Sequence, residues 1–284
     1  MADFITTWRT TTDNETITLP LMEATGTYNF VVNYGDGSGD KTVTSWNDAD
    51  ASHEYATADD YVVTVTSGGT LTHWNFVGGN NAFNNRAKII DINQWGSVGT
   101  TFYYNGFNSC GNLVITATDA GNFTIVTNMY GMFNGAASAN PDVSLWDTSS
   151  VANMSVMFQY ATSANPDVSL WDTSSVTDMS GMFNLATSAD PDVSLWDVSS
   201  VKYISDMFNG ATSADPDVSL WDVSSVTHTS DMFNGATSAN PDVSLWDTSS
   251  VTYMAGMFNG ATSADPDVSL WDVSSVANMC NMFN

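Results

Sequence analysis

Residues Asn165–Ala189 read NPDVSLWDTSSVTDMSGMFNLATSA, and nearly the same text precedes and follows them without insertion. Pro141, Pro166, Pro191, Pro216, Pro241 and Pro266 mark the copies at a period of 25 residues. A fixed, short, uninterrupted period indicates stacked units, each burying its apolar face against the next. Within the unit, Val168-Ser169-Leu170-Trp171 alternates and reads as a short strand, with Pro166 at its entrance. Asp172-Thr173-Ser174-Ser175 is a run of helix N-cap residues. Val176, Met179, Met182 and Phe183 follow at helical spacing, and Asn209-Gly210 in the next copy is a helix stop. The expected fold class is therefore a repeat solenoid of short parallel strands with short helices or 3-10 turns.

Working outward, the repeat continues upstream in worn form. Val126, Met129, Met132 and Phe133 keep the spacing of Val151, Met154, Met157 and Phe158, and Trp95 to Phe107 keeps the interval of Trp146 to Phe158. Farther upstream, Tyr28–Val32, Lys41–Ser45 and Tyr61–Thr66 alternate apolar and polar residues between Gly/Asp turns. They read as a small antiparallel β domain. The expected domains are 1–68 (β-sandwich), 69–140 (degenerate or capping repeats) and 141–284 (six 25-residue units).

Composition bounds the function. At 43 % hydrophobic residues, the chain can build a core and is not expected to be disordered. No run of about 18 apolar residues occurs, so membrane insertion is not expected. MADFITTWRT shows no signal peptide, which is compatible with another export route, a removed signal, or a virion or cytoplasmic protein. The net charge is −26, and the only cations are Arg9, Lys41, Arg86, Lys88 and Lys202. Such a field repels phosphate backbones and argues against a nucleic-acid partner. Of 31 acidic residues only Glu15, Glu23 and Glu54 are glutamate; an excess of Asp suggests turns and caps. Cys110 and Cys280 are too few and too far apart for a disulfide framework and read as small buried thiols.

The pattern D-V-S-x-W-D-[TV]-S-S-V-x-x-M-x-x-M-F runs from Asp142 to Phe158 and recurs five more times, with Ile204 and Thr229 in place of the first Met in two of them. It resembles the BspA-like family of leucine-rich-repeat surface proteins, in particular its DUF285-type repeat. Tyr34-Gly35-Asp36-Gly37, His53-Glu54-Tyr55 and Tyr61–Val65 resemble a PKD-type domain, although Val32-Asn33-Tyr34 stands where that family has Trp-Asp. These resemblances imply adhesion, display or protein–carbohydrate contact on a surface, and no reaction.

Candidate sites are columns rather than motifs. Trp146, Trp171, Trp196, Trp221, Trp246 and Trp271 form either an exposed aromatic ladder for sugars or proteins, or a buried roof over each bend. In the second case the Leu column becomes the exposed stripe. Asn153, Asp178, Tyr203, His228, Tyr253 and Asn278 vary between copies, with the residues at 152 and 156 and their equivalents. They are placed on the helix side away from Met and Phe, as a recognition surface or as drift. Asp142, Asp167, Asp192, Asp217, Asp242 and Asp267 either cap a turn or bind Ca2+ between rungs; the Asp147 column reads as helix N-caps. Asp36, Ser38 and Asp40 match calcium-loop positions, but Lys41 and Asn47 do not, so a β turn is the reading there. His53, His73 and His228 have no partners at metal-ligand spacing.

The sequence thus points to a non-enzymatic protein, extracellular, on a cell surface or on a virion. It would present a rigid repetitive body to protein or glycan partners on a cell surface, with no cofactor except the calcium alternative. A head-to-tail homo-oligomer or surface layer built through the last repeat, and a phage or virion receptor-binding fibre, are the alternative readings.

Overall fold

The computed structural model describes residues 2–23, 27–78, 82–97 and 104–283. Its N-terminal part holds β1 (Phe4–Arg9), β2 (Glu15–Thr18), β3 (Tyr28–Asn33), β4 (Asp40–Val43), β5 (Ser52–Tyr55), β6 (Asp60–Val65), β7 (Thr70–Leu71), α1 (Ala82–Asn85), β8 (Ile89–Gln94) and β9 (Val114–Ile115). Seven strands form one sheet in the order β4-β3-β6-β1-β8-β9, with β7 beside β3; β2 and β5 form a separate ribbon. β1 sits between β6 and β8, both antiparallel to it, and its alternation puts Phe4, Thr6 and Trp8 inward. The β8–β9 pair is parallel. Trp8, Trp74, Phe76 and Phe107 continue the sheet's core into the repeats in mutual ring contacts.

This corrects the expected fold class. The regular structure is nearly all β-sheet, in a mixed sheet and a two-stranded ribbon, and not a leucine-rich-repeat-like solenoid behind an antiparallel sandwich. Among the described residues the only α-helix is the four-residue α1. No strand forms at 168–171 and no helix at 176–183.

Residues 126–283 are instead a train of turns joined from copy to copy by single parallel bridges, Asn128 to Asn153 to Asp178 and on to Asn278. Within one copy, Met182 N–H donates to Met179 O, Asn184 to Gly181, Ala186 to Phe183 and Ala189 to Ala186, at 3.0–3.2 Å. Between copies, the N–H groups of Met179, Gly181, Phe183 and Leu185 donate to the carbonyls of Tyr203, Ser205, Met207 and Asn209 at 2.7–2.9 Å. Three-residue turns give the same i, i+3 apolar spacing as a helix, so the periodicity is real and the helix is not. A helix would bond its amides internally; here alternate amides are free to bond the next copy.

The interior is made of columns. Phe107, Phe133, Phe158, Phe183, Phe208, Phe233, Phe258 and Phe283 stack with centroids 5.6–5.8 Å apart. The rings from Phe107 to Phe258 are buried while Phe283, at the end of the column, is exposed, and each buried ring contributes on the order of 2–3 kcal/mol. Methionines beside them (Met129, Met154, Met179, Met254) are fully buried. Cys110 is buried in this core and Cys280 is exposed.

Every second turn needs a left-handed residue. Gly131, Val156, Gly181, Asp206, Asp231, Gly256 and Asn281 have φ between 50 and 64°. Gly, Asn and Asp tolerate this region, whereas a β-branched side chain is strained there. Part of the variation at this column is therefore backbone geometry. Val156→Asn is expected to raise stability by about 1 kcal/mol by relieving that strain. Paired urea melts check it; a drop in midpoint would show that Val156 contributes more by packing than it costs in strain.

Candidate functional site

The segment Val168-Ser169-Leu170-Trp171 is a turn closed by Trp171 N–H to Val168 O at 3.1 Å, and the same bond closes every copy. A turn breaks strand alternation. Leucine falls on its outer corner and tryptophan goes inside. Leu145, Leu170, Leu195, Leu220, Leu245 and Leu270 are 67–77 % exposed, while Trp146, Trp171, Trp196, Trp221 and Trp246 are 3–4 % exposed. Trp271 is partly buried. The indole Nε1 of Trp171, Trp196, Trp221, Trp246 and Trp271 donates to a valine carbonyl of the preceding copy at 3.0–3.1 Å. Trp146 begins the series; it stacks on Phe123 at 4.0 Å and its Nε1 has no acceptor. Of the two readings of the tryptophan column, the structure shows the buried roof and not the exposed ladder, and the leucines form the exposed stripe that goes with it.

Asp142, Leu145, Asp147, Ser149 and Ser150 are exposed, so along the chain an exposed aspartate stands before and after the leucine of each copy. Asp142 Oδ1 accepts from Ser144 N–H at 3.2 Å and from its hydroxyl at 2.7 Å. Asp167, Asp192, Asp217 and Asp242 repeat both bonds, and Asp267 repeats the first. Asp147, Asp172, Asp197 and Asp222 do the same toward Ser149, Ser174, Ser199 and Ser224. The Asp147 column therefore closes Asx turns and caps no helix. Serine hydroxyl and amide donors hold Asp142, Asp147, Asp172, Asp192, Asp197, Asp217, Asp242, Asp247, Asp267 and Asp272 below the usual carboxylate range, which favours the charged form. Among the described residues, no three His, Cys, Asp or Glu side chains converge as metal ligands.

The column at 153 carries the bridges between copies and does not lie on a helix face. Asn153, Asp178 and Asn278 accept from the amide two residues on. Tyr203, His228 and Tyr253 replace that bond with rings in contact at 5.2 and 4.8 Å, and both tyrosines are more than 40 % exposed.

In the N-terminal part, Asp36 accepts from Ser38 N–H and lies 2.7 Å from His53 Nε2. His53 stacks on Tyr34 at 4.6 Å. Asp36 is thus committed to its turn and to His53, as a β turn requires. Burial pushes its carboxyl up, but the Ser38 and His53 bonds together hold it well below the usual range. A depressed folded value means stability that is present above the unfolded value, about 3.9, and lost as pH falls through the folded one. Asp36→Asn is expected to lose less melting temperature than the parent between pH 7 and pH 2. Equal acid losses in calorimetric scans would contradict this.

Residues 101–219 and 202–284 match the family described as "Mycoplasma protein of unknown function, DUF285". No curated protein and no solved structure matches the chain.

Proposed function

The chain belongs to the DUF285 family, whose matched span covers the turn train, and from that premise we propose that it is a non-enzymatic binding protein that adheres through a repetitive surface. Its place would be outside the cell or on a particle. One observation carries the reading: six leucines, one per copy, stand more than 60 % exposed in a single column. Soluble proteins rarely leave contiguous apolar area uncovered unless something docks on it. Weak contacts repeated on one body add through effective concentration, so six poor sites make one good one. The resemblance of the repeats to BspA-like surface proteins, and of the Tyr34–Gly37 and His53–Val65 segments to PKD-type domains, supports the adhesive reading.

The test is the variant Leu170→Ser/Leu195→Ser/Leu220→Ser/Leu245→Ser, compared with the parent on arrays of immobilised matrix proteins and glycans. Retention should fall at least ~10-fold while the melting temperature stays within a few degrees, as surface changes normally allow. Equal retention of parent and variant, or a parent retained nowhere, would sink the proposal.

A further inference from the structure

We infer that the hollow between the N-terminal sheet and the first turns binds a neutral acetamido sugar, an N-acetylated pyranose. This is a second site, beyond the leucine stripe. The hollow has a volume of about 170 Å³ and is lined by Met22, His73, Asn75, Tyr104 and Asn128, with no stripe leucine among them. Segments far apart in sequence build it, and hydrogen bonds fix them to one another. Asn75 N–H donates to Pro20 O at 2.8 Å, Phe76 N–H to Asn105 O at 3.2 Å and Asn105 N–H to Tyr130 O at 2.8 Å. The Tyr28 hydroxyl accepts from Met22 N–H and donates to Met22 O. Tyr104 stacks on Tyr130 with ring centroids 5.1 Å apart.

The amides in the lining are left as donors. Asn75 is 2 % exposed, and its Oδ1 accepts from Val77 N–H at 2.6 Å and from Gly78 N–H at 3.0 Å. Those bonds fix which end of the amide is which, and its Nδ2 has no acceptor among the described residues. A buried donor of this kind is costly until a ligand supplies an acceptor. Asn128 repeats the arrangement: its Oδ1 accepts from Tyr130 N–H at 2.9 Å, and its Nδ2 has no acceptor among the described residues. Burial lowers the pKa of His73 and keeps its imidazole neutral.

These groups select the ligand. Among the described residues the lining carries no carboxylate and no cation, in a chain of net charge −26. An anion has no counter-charge there and meets the repulsion of the whole chain, and a cation has no carboxylate to meet. A wholly apolar ligand leaves the Asn75 and Asn128 donors unpaired. What fits is a neutral molecule with acceptor oxygens and an apolar face. An acetamido sugar has both: a carbonyl and hydroxyl oxygens for the two amides, a methyl group for the Met22 thioether, and a C–H face for the Tyr104 ring.

The probes are the methyl glycosides of N-acetylglucosamine and N-acetylgalactosamine, titrated into the full chain and followed by saturation-transfer NMR. The controls are the methyl glycosides of glucose and galactose, the anionic N-acetylneuraminic acid, and N-acetylglycine methylamide, an acetamide without a sugar ring. One or both acetamido sugars should bind at least ~10-fold more tightly than the matching hexose, because the hexose leaves a lining donor unpaired. Saturation should be strongest at the acetyl methyl, and the two remaining controls should not exceed the hexoses. Asn75→Asp and Asn128→Asp keep the Oδ1 acceptor of each turn and lose the donor; each should weaken binding at least ~10-fold. Tyr104→Ala removes a ring that is 40 % exposed, so it should fold as the parent does and keeps the test open if an Asp variant does not. It should also lose at least ~10-fold.

The proposal is overturned if neither acetamido sugar exceeds its hexose, if N-acetylneuraminic acid or the methylamide binds as well, or if Tyr104→Ala binds as the parent does. The four-leucine variant above should bind the sugar undiminished; a loss there would place the sugar on the leucine column and overturn the assignment to this hollow. Failure of the sugar titrations leaves array retention, and the adhesive reading that rests on the leucines, as it stands.

Discussion

Trp196→Ala is expected to cost about 3–5 kcal/mol of unfolding free energy, while Leu195→Ala, one residue away, stays within about 0.5 kcal/mol. The contrast follows from the turn. Trp196 lies against Trp171 with ring centroids 6.4 Å apart and donates its Nε1 to Val168 O at 3.0 Å. Removing the indole opens a cavity between two copies and strips a buried carbonyl of its donor. Leu195 is 76 % exposed, so its truncation removes little buried area. Because each copy contacts only its neighbours, the loss at Trp196 should also weaken coupling across that junction and broaden the urea transition. Urea titrations of the two variants check both statements. Similar midpoints for the pair would mean that leucine and tryptophan share the same environment.

The second large effect lies in the N-terminal sheet. Gly35 has φ +79°, and a Cβ built on it would overlap the Val62 carbonyl oxygen of β6. Gly37 has φ +82° and open space around it. Both positions carry the left-handed penalty of about 1 kcal/mol for a substituted side chain, but only Gly35 adds a clash with backbone, of roughly 1–3 kcal/mol. Gly35→Ala should therefore cost about 2–4 kcal/mol and Gly37→Ala about 1 kcal/mol. Calorimetry distinguishes them, and equal losses would show that the 34–37 turn does not pack on β6. The Asp36–His53 pair hangs on the same turn, so Gly35→Ala should also blunt the acid sensitivity predicted for Asp36.

The 25-residue period could be read from the sequence because it appears in the structure as the spacing of bridges from Asn128 to Asn278. The Val, Met and Phe columns could also be read as interior, since their apolar residues recur at three- and four-residue spacing within every copy. The local conformation could not. Met179, Met182 and Phe183 satisfy a helix template, and only left-handed residues such as Gly181 and Leu185 (φ 61 and 58°) turn that spacing into successive turns. Leu185 carries no sequence mark of this role, because nothing in its side chain asks for a positive φ. Val168–Trp171 fails as a strand for a related reason. Four residues that alternate also fit a four-residue turn, and the bond from Trp171 N–H to Val168 O decides between them.

The candidate site was legible in the same partial way. The Asp142 column could be read as capping a turn, whereas Asp147, expected to cap a helix, makes the same Asx bond because no helix follows it. Which apolar residue faces solvent depends on the turn, which pattern alone did not give. The drift at column 153 had two sources. Asn and Asp there close a turn, while Tyr203, His228 and Tyr253 give up that bond for ring contact.

The account rests on tryptophan inside and leucine outside in every copy. Acrylamide quenching of tryptophan emission tests this most directly, because a neutral quencher is indifferent to the charge of −26. Trp8, Trp74, Trp95, Trp146, Trp171, Trp196, Trp221 and Trp246 are all buried, against a total of ten tryptophans. The folded protein should show a blue-shifted emission and a quenching constant several-fold below that of the urea-unfolded chain. A folded protein quenched as readily as the unfolded one would put the indoles at the surface and the leucines in the core, and the stripe would not exist.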